Sequence, residues 1–134
     1  MSPAHEPLRL VRALIALEIL LAIGAYGGAF GLILSYWRPD AFLSADELAG
    51  TPFSSWLIPG VLLALLNGVL PTVVAVGAMM EKGWARWGHP LVGLVLTAWI
   101  VVQIALIGYG HILQPIYLAW GVVMLVLGLV AARR

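Results

Sequence analysis

The chain has 134 residues, of which 63% are hydrophobic and only 10% charged, with a formal net charge of +1. A soluble domain usually carries about 25% charged residues, and a fold this small has too little interior to hide so much apolar surface, so the mean hydropathy of +1.04 makes lipid the expected solvent. The near-neutral balance argues against nucleic acid as a partner, and the absence of cysteine excludes disulfides, thiolate catalysis, iron–sulfur clusters and Cys-type zinc sites.

A spanning helix needs about 20 mainly apolar residues. The first qualifying run is about 13–36. It is too long for the core of a signal peptide, and no small-residue cleavage site precedes Trp37-Arg38, so it is read as a spanning helix. Glu18 lies well inside it. A carboxyl at that depth costs roughly 2.5–3.5 kcal/mol on insertion scales and should face other protein rather than lipid. Counting from each interface places Thr72 and Thr97 at similar depth, as its expected hydrogen-bond partners. One reading of Glu18 is functional: a proton-coupled site, a ligand anchor or an acid catalyst. The other is structural: a protonated carboxyl that ties helices together.

The segment 37–55 is the only sizeable stretch expected outside the membrane. Ser44-Ala45-Asp46-Glu47 has the capping-box spacing and predicts a short surface helix over 45–48. Asp40, Asp46 and Glu47 make this segment acidic, which fits a solvated lid or a cation or partner site.

The second run is about 56–79. It carries Asn67 near its middle, and Pro71, which should kink it by removing a backbone donor and crowding the preceding turn. The third runs over about 90–110 and carries Gln103. Buried amides such as Asn67 and Gln103 commonly tie helices together. The alternative is that they line a polar pocket with Tyr26. The fourth run is about 115–132, and the hinge His111-Ile112-Leu113-Gln114-Pro115 suffices only for an antiparallel hairpin. Tyr109, His111, Gln114, Tyr117 and Trp120 cluster around that hinge. They suggest an interfacial aromatic rim or an outward pocket for a head group or amphipathic molecule.

The expected fold is therefore all-α and polytopic: one domain over 1–134, a bundle of four transmembrane helices with a short interfacial helix in the outer loop. Arg9, Arg12, Lys82, Arg86, Arg133 and Arg134 fall on one side of such a bundle and Arg38 alone on the other. The positive-inside rule then places both termini in the cytoplasm. Trp84 and Trp87 would mark the inner interface, and Tyr36, Trp37, Phe53 and Trp56 the outer one.

Small residues permit close helix approach in lipid. Gly24-x-x-x-Gly28, Gly27-x-x-x-Gly31 and the stripe Gly60, Ala64, Gly68, Thr72 predict contact between the first two helices, or a homo-oligomer interface. Gly121 and Gly128 recur seven residues apart in the fourth. No cofactor is expected. His89 and His111 are 22 positions apart, about 33 Å along a helix, too far to grip one haem iron, and no His, Asp or Glu pair has metal-ligand spacing.

Three stretches taken together carry a resemblance: Thr51-Pro52-Phe53-Ser54-Ser55-Trp56-Leu57-Ile58-Pro59-Gly60, then Asn67-Gly68, then Trp99-Ile100-Val101-Val102-Gln103 with Leu113-Gln114-Pro115-Ile116-Tyr117. Together they look like a group of small four-helix membrane proteins from high-GC bacteria. That resemblance implies the fold and a bacterial plasma membrane, and carries no catalytic residue. Ala16-Leu17-Glu18 is similar to the first-helix glutamate of small multidrug resistance transporters, but the rest of their pattern is missing. The DoxX-like proteins share only size and helix count.

Three functions are compatible with these features. The first is a binding or accessory subunit that packs in a larger membrane complex or holds a lipid-like ligand between its helices. The second is a small proton-coupled transporter using Glu18. The third is a membrane-embedded isomerase or cyclase acting on an apolar substrate.

Overall fold

The computed structural model describes residues 5–38, 45–110 and 112–133. Four long helices follow one another: α1 His5–Trp37, α2 Leu57–Met79, α3 Ala85–Ile107 and α4 Leu113–Ala132. The last three are long and apolar enough to cross a bilayer, as expected of a membrane protein. Many of their large apolar side chains lie exposed on the outside, among them Val73, Leu94, Val101 and Val123. In water such a surface would be unsustainable.

The helices associate as two hairpins. α3 and α4 make the most extensive contact, and α1 lies along α2. Contacts of α2 with α3 and of α1 with α4 close the ring, which leaves α1 and α3 diagonal to each other. The start of α1, the α2–α3 turn and the end of α4 share one end of the molecule. Arg9, Arg12, Lys82, Arg86 and Arg133 make it the basic end. There the Arg86 Nε–H donates to the Ala132 carbonyl, a favourable placement of positive charge at a helix C-terminus.

Backbone approach explains the α3–α4 pairing. A Cβ on Gly93 would meet the Leu125 backbone, with its Cα at 2.7 Å. One on Gly121 would lie 2.9 Å from the Thr97 nitrogen, and one on Gly128 2.6 Å from the Pro90 nitrogen. These glycines let two helices pack main chain on main chain, where dispersion contacts accumulate without help from water. The expected α1–α2 contact is also present, although not through both stripes. A Cβ on Gly60 would press on Ile33 and Leu32, and one on Gly68 would enter the ring of Tyr26. On the α1 side, however, Gly27 and Gly31 touch nothing, and the buried small residues are Ala22, Ala25 and Ala29.

Pro71 acts on α2 as a local change of helix type. It has no N–H to give the Asn67 carbonyl. The preceding turn, Leu65–Val69, widens to a π-helix in which the Leu70 N–H donates to the Leu65 carbonyl, five residues back. α2 ends in a Schellman arrangement: the Lys82 N–H donates to Gly77 O at 2.8 Å and the Glu81 N–H to Ala78 O at 3.0 Å. Glu81 occupies the left-handed position with φ 57°, where glycine is usual. Trp84 folds back over Gly77, which has no room for a side chain.

α3 begins at Ala85, earlier than the expected Pro90, and stops at Ile107 because Gly108 takes φ 82°. Among the described residues between α1 and α2 the chain forms a 3-10 turn, Ala45–Leu48, with Leu48 buried. Asp40 and Ser44, the expected cap, lie outside the described residues.

Candidate functional site

Two polar features occur inside the bundle, and they lie at different depths. The deeper into the basic half is a pair. Glu18 Oε2 and His89 Nδ1 are 2.6 Å apart, and both side chains are essentially fully buried. Leu14 and Leu21 lie one turn to either side of Glu18 on α1, and they are buried as Val92 and Met124 are. The pair joins α1 to α3 across the diagonal of the ring. In its net-neutral form it shares one proton, either donated by Nδ1–H to the carboxylate or by the carboxyl O–H to Nδ1. Glu18 Oε1 has no partner.

This corrects the expected partners of Glu18. The Thr97 hydroxyl donates to Gly93 O at 2.8 Å, and the Thr72 hydroxyl donates to Gly68 O at 2.7 Å. Each threonine is satisfied within its own helix. His89 escaped the sequence reading because a helix starting at Pro90 leaves it at the interface. Starting at Ala85, it enters the first full turn. Its depth then approaches that of Glu18: His89 lies three residues past the basic Arg86, and Glu18 six past Arg12. That similarity of depth was the available signal.

The second feature is a cavity of about 710 Å³ between the helices, toward the opposite end. This lies within the range of roughly 300–1,000 Å³ typical of small-molecule sites. Its α1 wall extends from Leu21 to Leu32, about 16 Å at 1.5 Å per residue. Glu47 and Gly110 stand at the loop end, and Leu96, Leu21 and Asn67 at the deep end. Trp56, Trp99 and Tyr117 supply aromatic wall, and Gln103 and Gln114 are the other polar side chains that line it.

Asn67 is the unusual member. It is 2% exposed, and neither Oδ1 nor Nδ2 has a hydrogen-bond partner. Buried amides almost always find partners, and leaving one unpaired costs about 1–3 kcal/mol. The π turn carries Asn67, and such turns recur at functional sites.

Gln114 is different. Its Nε2 donates to Gly108 O at 3.2 Å, and its Oε1 accepts from the Gly110 N–H at 3.0 Å. It fastens the α3–α4 turn that forms the cavity mouth. Tyr117 stacks on Trp120 with ring centroids 5.8 Å apart, and its hydroxyl reaches the α1 backbone at Gly24.

Of the residues singled out in the sequence, the fold thus brings Asn67, Gln103, Gln114 and Tyr117 to one cavity. Glu18 does not line it. Tyr26, expected beside Asn67 and Gln103, lies elsewhere: its ring covers Gly68, and its hydroxyl is 2.9 Å from Thr72 Oγ1. Since the Thr72 proton is committed to Gly68 O, Tyr26 is the donor. Trp120 backs the wall without lining it, and its buried Nε1 has no partner. Tyr109 is 65% exposed, and His111 lies outside the described residues. Trp56, expected in an aromatic belt, is instead buried against the cavity. Neither Trp56 nor Glu47 was legible as lining, because both are placed by the long α1–α2 connection. Among the described residues no group of His, Asp and Glu is arranged to hold a metal ion.

Compared with family models, curated proteins and solved structures, the chain matches none of them.

Proposed function

We propose that this protein is a four-helix integral membrane protein that binds a small, mainly apolar molecule in the cavity between its helices, as a binding or accessory subunit. The observation that carries this reading is the cavity itself, with a fully buried and unpartnered amide, Asn67, on its wall. In this reading α1 spans the bilayer with the other three helices. The turn at Ala45–Leu48 lies at the outer interface, and the basic end faces the cytoplasm of a bacterial cell. Partners are the lipid bilayer, the bound hydrophobic molecule, and a second copy or a larger membrane complex. Nucleic acid and a resident cofactor have no place in it.

The Glu18–His89 pair favours a second reading, a proton-coupled transporter, because a buried carboxyl with an imidazole partner can hold or release a proton. An enzyme acting on an apolar substrate would need such a pair inside the cavity. Glu18 and His89 do not line it, so this reading ranks third.

The test is native mass spectrometry of the protein extracted gently from its own membrane. The wild-type chain should carry a molecule of defined mass. Ala25→Phe, which fills the cavity wall, should lose it, and Val122→Phe, on the exposed outer surface, should keep it. A bare wild-type chain, or an Ala25→Phe chain that is folded and still loaded, would overturn the reading.

A further inference from the structure

The chemistry of the cavity restricts what it can hold. Asn67 lies in the cavity wall with its amide oxygen and nitrogen unpaired and almost wholly enclosed, so a ligand that pairs with them must enter the wall there and offer both a donor and an acceptor. A hydrocarbon offers neither. An ester or tertiary amide accepts and never donates. Only a planar group that both donates and accepts completes the two bonds at once, as in a primary carboxamide, a lactam or an un-ionised carboxylic acid.

Charge narrows the choice further. Among the described lining residues there is no Lys, Arg or His, and the one ionisable carboxylate, Glu47, stands at the mouth. A phosphate or zwitterionic head group drawn to the depth of Asn67 would be desolvated without a counter-charge, which is prohibitive. From Asn67 toward the mouth the lining is mainly apolar, through Leu63, Leu32, Ile100 and Ile107, with Gln103 between the last two and Gln114 and Glu47 nearer the loop end. The polar end of the ligand therefore sits deep, and its apolar body points toward the loop end. That is the reverse of how an outer-leaflet phospholipid lies.

We infer that the cavity binds a neutral amphiphile head-first, with a planar donor–acceptor head group paired to the Asn67 amide. This inference rests on the cavity being a binding site, as proposed above, and names the class of molecule it takes.

The two carriers of this head group are a carboxamide and an un-ionised carboxylic acid, and the test separates them. The full-length protein, in detergent and stripped of native ligand, is offered equimolar oleamide and N,N-dimethyloleamide, which share chain and carbonyl but differ in the donor. Bound fractions are read by native mass spectrometry. Oleamide should occupy the wild-type protein at least tenfold more than its dimethyl analogue. In Asn67→Leu the ratio should fall to near one while both probes still bind. Repeating the competition with oleic acid against methyl oleate at pH 5 and pH 8 reports whether the acid is also accepted. A preference present only at the lower pH identifies the un-ionised acid as a second carrier, and its absence leaves the carboxamide as the carrier.

Equal occupancy by oleamide and its dimethyl analogue in the wild type overturns the inference, as does a preference that survives Asn67→Leu. So does a native ligand whose structure lacks a donor–acceptor head, although that result leaves the cavity's binding role standing. If no probe binds and the extracted protein is bare, the binding role and the inference fall together.

Discussion

The two halves of this bundle are built on opposite principles. In the basic half, α3 and α4 touch main chain to main chain at Gly93 and Gly128, and a hydrogen-bonded pair joins α1 to α3 through the centre. In the other half the same helices stand apart around a cavity, and a buried amide on its wall has no partner. Lipid offers little hydrophobic drive for helix association, so close packing and satisfied polar groups must hold the bundle together. The basic half supplies both. The loop half keeps close packing between α1 and α2 at Gly60 and a hydrogen-bonded Gln114, but it opens between the helices around the cavity and leaves the Asn67 amide unpaired. The tightest α3–α4 packing and the cavity thereby lie at different depths of the same helices.

The largest effect should come from breaking the tight half. Gly93→Ala places a methyl group against the Leu125 backbone, which has no side-chain freedom with which to yield. Overpacking of this kind costs typically 1–3 kcal/mol, and a backbone obstacle belongs at the upper end, about 3 kcal/mol. Unfolding in mixed SDS micelles would measure it. Gly31→Ala is the matched control. It meets nothing within 4 Å and should be neutral, or better by up to about 1 kcal/mol from helix propensity. Equal losses at the two positions would refute the contrast.

Next in size is the Glu18–His89 pair. Glu18→Leu leaves a buried imidazole nitrogen without its partner, at about 1–3 kcal/mol. Glu18→Gln retains a group that can donate to or accept from Nδ1, so it should insert and fold normally with a smaller loss. Glu18→Leu combined with His89→Leu should cost less than the sum of the single changes, since neither group is then left stranded. Additive losses would mean that the 2.6 Å contact contributes nothing. A Glu18→Gln protein that fails to accumulate would make the carboxyl purely structural and weaken the transporter reading.

The sequence revealed the helices more clearly than their contacts, for physical reasons. Apolar run length is a local property, so runs over about 56–79, 90–110 and 115–132 stand out, and the helices at Leu57–Met79, Ala85–Ile107 and Leu113–Ala132 lie within a few residues of them. Which face of a helix meets which neighbour is not local. Gly27 and Gly31 have the same spacing as contacting glycines, yet they face open space. His89 was hidden by its own following residue: Pro90 reads as a helix start, but a proline six positions into a helix is tolerated where another helix packs against it. Asn67 was visible as a buried amide. That its amide would remain unpaired depended on the π turn imposed by Pro71 and on the gap between α1 and α3, neither of which is encoded at position 67.

Two smaller changes separate the cavity from the surface behind it. Asn67→Leu removes an amide that makes no hydrogen bond, in nearly the same volume. Its stability in ligand-free micelles should hold or rise by about 1 kcal/mol, while selective retention of a donor–acceptor ligand is lost. Tyr26→Phe does the reverse. It deletes the hydroxyl that donates to Thr72 on the outer side of the α1–α2 contact, where interhelical hydrogen bonds average about 0.6 kcal/mol. Stability should fall by about that amount and ligand retention should not change, because the Tyr26 ring lies over Gly68 and not along the cavity wall. Thermal melts and native mass spectra of both variants, taken side by side, would then show opposite patterns. If Tyr26→Phe also emptied the cavity, α1–α2 packing and ligand binding would be coupled through the π turn, and the division of the molecule into a holding half and a binding half would no longer stand.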